Sequence, residues 1–130
     1  MTSTRRGLVA AALLTAGALA GCARTAPVQD ASGEFLGHAT LSQRADQIRG
    51  AGTALGWRID PKGPGVMRGT LLLRSHQAEV QITYNTQRFA IRYVSSVNLN
   101  YENGMIHRNY NSWVQNLRNT IIQQSAPKSS

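Results

Sequence analysis

Cysteine is almost missing. The 130 residues contain one, Cys22, so a disulfide scaffold is excluded. Acids are scarce, six Asp and Glu against fourteen Lys and Arg. His38, His76 and His107 stand far apart in the chain, so no metal site is expected and no cofactor is implied. No Gly-rich loop precedes a helix to cradle a phosphate, and Gly63-Pro64-Gly65 precedes a strand-like run and reads as a turn. Yet 42% of residues are apolar and recur periodically, which excludes a collagenous or wholly disordered chain.

One long apolar run is present. Residues 8–20 (LVAAALLTAGALA) form 13 uncharged positions behind Arg5 and Arg6. A membrane-crossing helix needs about 20. A basic start, a short apolar run and then small residues make the layout of an export signal, expected over 1–21. The run closes on Leu19-Ala20-Gly21-Cys22, which resembles the lipobox of bacterial lipoproteins. The resemblance implies cleavage after Gly21, lipidation of the Cys22 sulfur and acylation of the new amino terminus. It places the chain on a membrane of the cell envelope, facing the periplasm. Ala23, where an Asp would follow in the inner-membrane pattern, favours the outer membrane. Residues 4–9 (TRRGLV) are also somewhat similar to a twin-arginine signal, although plain secretion accounts for two arginines equally.

Residues 22–38 are small, polar and aperiodic, with Pro27 and Gly33, and read as the lipidated Cys22 followed by a flexible tether. Residues 125–130 (SAPKSS) read as a disordered tail. Between them, 39–124 are expected to form a single domain. Thr40 with Gln43 fits a capping box. Leu41, Ala45, Ile48 and Leu55 then recur at helical spacing until Gly56. Four strand-like segments follow, 57–60, 66–74, 78–84 and 88–93, with loops short enough to require antiparallel pairing. Tyr110, Trp113, Val114, Leu117 and Ile121 form the stripe of a final helix. The expected fold is α+β, a two-layer sandwich. A four-stranded antiparallel meander carries the N-terminal and C-terminal helices on one face, in the order α-β-β-β-β-α.

Alternation assigns the opposite face of that sheet. Arg58, Arg68, Arg74, Arg88 and Arg92 share it with Asp60 and Glu79. Guanidinium forks bind phosphate or carboxylate in pairs of bonds. The candidate partners are anionic lipid, lipopolysaccharide, peptidoglycan or an acidic envelope protein. Against this stands a plain solvated face. Nucleic acid fits the charge but not the export address, and no aromatics interleave to stack bases.

The second candidate is the Asn-rich connection ahead of the last helix, where Tyr101, His107, Arg108 and Tyr110 are candidates for a ligand groove. Its plainer reading is polar glue, with Asn98 and Asn100 bonding backbone groups and Asn109 capping the helix. No catalytic residues are assigned. Ser75, His76 and Glu79 suggest a Ser-His-acid set, but adjacent residues in a tight turn are badly placed for it.

Residues 56–59 (GWRI), 73–76 (LRSH) and 96–113 (SVNLNYENGMIHRNYNSW) together resemble a family of small bacterial envelope lipoproteins with no established activity. The expected function is thus a membrane-anchored, non-catalytic binding or assembly module. The alternatives are an accessory subunit or inhibitor of an envelope enzyme, and a small cell-wall or lipid hydrolase using His76 or His107.

Overall fold

The computed structural model describes residues 24–128. The expected signal segment 1–21 and the lipidation site Cys22 lie outside the described residues. The fold is α+β, with two helices, an antiparallel five-stranded sheet and a separate two-stranded one.

The N-terminal helix, α1 (Leu41–Ala54), forms where the capping box places it. Gln43 N–H donates to Thr40 Oγ1 at 3.1 Å, and Thr40 N–H donates to Gln43 Oε1 at 2.9 Å. It ends at Leu55, and Gly56 follows at φ +85°, a left-handed turn that glycine takes without strain. Its buried stripe is Arg44, Ile48, Ala51 and Gly52. Ile48 is buried as its spacing predicts, whereas Leu55 is exposed and Arg44 takes a buried position. Gly52 is a point of contact with the sheet. A Cβ there would lie 2.3 Å from Ile59 Cγ1, so its absence lets α1 approach the sheet.

The meander is β3 (Trp57–Gly63), β4 (Val66–Leu73), β5 (His76–Tyr84) and β6 (Arg88–Val97). Pro61 is tolerated because β3 is an edge strand, where one amide faces away from the ladder. A bulge between Glu79 and Val80 leaves Val94 over in β6. The C-terminal helix, α2 (Asn109–Gln124), buries Tyr110, Val114, Leu117 and Ile121. These side chains form one core with Ile59, Met67, Val80, Ile82 and Ile91 from alternate strand positions. Burying each such aliphatic side chain contributes about 1.5–3 kcal/mol.

The expected four strands are an undercount, and the segment expected as a tether supplies the difference. β1 (Thr25–Pro27) pairs antiparallel with β7 (Met105–His107), and β2 (Ala31–Glu34) pairs with β6 to complete the order β2-β6-β5-β4-β3. Ala31 and Phe35 are buried, and Gly33 leaves space for the Phe89 ring and Ile122. Arg118 Nε on α2 donates to Ser32 O at 2.7 Å. Asn111 accepts from Gln29 N–H and donates to Pro27 O, both at 3.0 Å. The expected tail is corrected as well. Ser125 is buried and its Oγ accepts from Leu36 N–H at 2.8 Å, while Pro127 packs against Gly37.

Candidate functional site

Strand pairing shows what the arginines face. On the open side of the sheet, Asp60, Arg68, Gln81 and Arg92 form one row across four strands, and Arg58, Thr70, Glu79 and Ser95 form the next. Arg58 Nε lies 3.0 Å from Asp60 Oδ2, and Arg68 bonds Glu79. Arg88 Nη2 lies 3.6 Å from Glu34 on the added strand β2. Ser95 donates a further bond to Glu79 at 3.2 Å. The Arg68 hydrogen bond, helped by Ser95 and by the positive charge of Arg68, holds the Glu79 carboxyl below its usual pKa. Three of the five expected anion-binding arginines thus already have a carboxylate. Arg74 leaves the face altogether: it sits in the two-residue β4–β5 turn at φ 57°. Arg92 and Arg74 are those of the five without a carboxylate partner among the described residues.

The expected groove does not assemble. Tyr110 is fully buried in the core, with no hydrogen-bond partner for its hydroxyl among the described residues, and burial pushes its pKa far above the ordinary phenol value. Its neighbour is Tyr93, edge-on at 5.5 Å between ring centroids. Tyr93 in turn stacks on the exposed Tyr101 at 4.4 Å and bonds Ser96 Oγ at 2.8 Å. Tyr101 lines an open depression with Thr25, Asn100, Glu102, Asn103 and Met105, and none of His107, Arg108 and Tyr110 lines it. His107 is in β7, and its Nδ1 accepts from Asn109 N–H at 3.2 Å. Arg108, exposed, occupies the N-cap position of α2 in place of Asn109, and it makes no side-chain cap bond.

The asparagines shape the connection through their backbone conformation, not through the expected side-chain bonds to backbone groups or an Asn109 cap. Asn98, Asn100 and Asn103 all have positive φ, between 52° and 63°, the left-handed region that asparagine tolerates best among residues with a Cβ. Asn98 also holds the β4–β5 turn. Its Nδ2 donates to Ser75 Oγ at 2.9 Å, and its carbonyl oxygen lies 2.7 Å from His76 Nδ1. Ser75 and His76 are therefore both engaged with Asn98 rather than with each other.

Two features escaped the sequence reading. Arg44 is buried to 1% exposure with no carboxylate among its partners. It donates to the carbonyls of Thr86, Leu36 and Gly37 at 2.9, 3.1 and 3.0 Å and to Gln47 Oε1 at 3.0 Å, and its guanidinium lies 4.5 Å over the Phe35 ring. Desolvation lowers its pKa, but guanidinium starts so high that it stays charged. The other feature is an apolar end. Leu72, Leu73 and Val97 are 64%, 46% and 55% exposed beside the Arg74-Ser75 turn. The run Val66–Leu73 carried the signal, since Leu71-Leu72-Leu73 cannot all face one side of a strand.

No protein-family model matches the chain, and no curated protein or solved structure shows significant similarity to it. The resemblance to envelope lipoproteins rests on the residues that suggested it.

Proposed function

We propose that this chain is a lipid-anchored envelope protein, held by Cys22 on a membrane facing the periplasm, whose domain is a non-catalytic binding or assembly module. The observation that carries the reading is Leu19-Ala20-Gly21-Cys22 at the end of a 13-residue apolar run behind two arginines. A thiol there accepts a thioether lipid, and two or more acyl chains hold a protein stably where one holds marginally. The non-catalytic part is supported by how the polar residues are used. Ser75 and His76 are both bonded to Asn98, and His107 Nδ1 accepts a helix amide. The open face offers Arg92 to an anionic envelope component, with Arg58, Arg68 and Arg88 already facing acids.

The test is fatty-acid labelling of the full chain in cells, followed by membrane fractionation of wild type and Cys22→Ser. Wild type takes up label and partitions with membranes, and Cys22→Ser does neither. An unlabelled wild type, or a variant equally membrane-bound, overturns the reading.

A further inference from the structure

Because segment 25–36 is bonded into the domain, an anchor at Cys22 would act on the domain directly. Arg24 is not loosely connected to the domain. Its carbonyl accepts from Arg108 N–H at 3.2 Å, and the next residue, Thr25, is opposite His107 in the β1–β7 ladder. His107 N–H donates to Leu99 O at 2.8 Å, and the neighbouring Asn98 binds Ser75 and His76. A continuous set of bonds therefore leads from the first described residue to the β4–β5 turn. Cys22 precedes Arg24 by two residues, which span at most about 7 Å however they are arranged. A membrane-held Cys22 leaves no room for the domain to stand off.

The same end carries the exposed apolar side chains. Of eight large ones facing solvent among the described residues, six are Leu72, Leu73, Val94, Val97, Tyr101 and Met105, from the ends of β4 and β6, the β6 bulge, the connection after it and the start of β7. Arg24, Arg74 and Arg108 are exposed there, against Glu102. Aliphatic tips ringed by cations suit the boundary between headgroups and acyl chains of an anionic bilayer. We infer that the end of the sheet formed by the β4–β5 turn and the close of β6 is a bilayer-docking surface. Leu72, Leu73 and Val97 enter the headgroup boundary, and Arg74 and Arg108 face lipid phosphates. This rests on the anchor reading and deepens it: the domain lies on its membrane in one fixed orientation.

The lipidated full chain supplies the test, because a thioether at Cys22 leaves an introduced cysteine as its one free thiol. Environment-sensitive labels are placed on Leu72→Cys and, at the opposite end, on Leu36→Cys. Each protein is reconstituted into phosphatidylglycerol or phosphatidylcholine vesicles carrying shallow nitroxide-labelled lipid. The expected result is quenching several-fold stronger at 72 than at 36. The contrast should weaken with Arg74→Ser/Arg108→Ser and at high salt on the anionic vesicles. In a second arm, the unlipidated Cys22→Ser chain should sediment with anionic vesicles, and Leu72→Ser/Val97→Ser should reduce this about tenfold without moving the thermal midpoint. Equal quenching at both positions of a lipidated, vesicle-held protein overturns the docking surface and leaves the anchor standing. A free thiol at Cys22 by mass spectrometry overturns the anchor, and the docking surface with it. Dimerisation of Cys22→Ser that Leu72→Ser/Val97→Ser abolishes assigns the surface to a second copy instead.

Discussion

The two ends of the sheet are finished in opposite ways. At one, the β5–β6 turn, the segment after β2 and the C-terminus of α2 close on each other. Arg44 gathers the carbonyls of Thr86, Leu36 and Gly37, and Ser125 takes the Leu36 amide. At the other, Asn98 bonds the β4–β5 turn, and Leu72, Leu73 and Val97 remain in solvent. Both ends have short turns built on left-handed or side-chain-bonded residues. The difference lies in whether later chain returns to cover them. Exposure here is local, at one end of a well-filled core, and so points to contact rather than to poor folding.

The sharpest way to break this comparison is Arg44→Met. It keeps the apolar stem but leaves three carbonyls without their donor, and the expected loss is about 3–5 kcal/mol by urea unfolding. A loss below about 1 kcal/mol would mean that end is not held by Arg44. At the opposite end, Asn98→Ala removes one hydrogen bond and the residue type that tolerates φ 63°, for an expected loss of about 1–2 kcal/mol. Midway, on the open face, Glu79→Gln is expected to cost about 1 kcal/mol near neutral pH. Because the folded-state pKa of Glu79 is lowered, that difference holds above the ordinary carboxylate range. It disappears as pH falls through the folded value, when wild type protonates too. Unfolding curves at several pH values check it. The smallest effect is Tyr110→Phe under the aromatic chain to Tyr101. Deleting a buried hydroxyl with no partner among the described residues should leave the thermal midpoint unchanged or raise it, by at most about 1 kcal/mol equivalent.

The helices and the meander were legible because each carries a local signal: a capping box at Thr40, a stripe from Tyr110 to Ile121, alternation through β5. β1 and β2 carry none. TAP and ASGE are short and small, and they become strands because β7 and β6 offer them an edge. Gly33 read as a loop residue when it is a close approach to Phe89. The arginine face was legible as a face, since alternation fixes sides. It was not legible as ion pairs, since only lateral register sets Arg68 beside Glu79 and Arg88 beside Glu34. Tyr110 fitted both a helix stripe and a groove, and the stripe prevailed because an aromatic ring gains more from the core than from a rim. Arg44 was hidden by its own polarity, which makes any helix position look solvent-facing.

Segment 25–34 also bears on the order in which the fold can be completed. Pro27 and Gln29 bond Asn111 across 84 and 82 residues of chain, and Ser32 bonds Arg118 across 86. β2 has no strand partner until β6 exists, and β1 none until β7 exists. The meander, with its contacts between neighbours, can form ahead of them, because loop closure costs little there. Segment 25–34 can thus be attached late, as a strap laid over a body already formed.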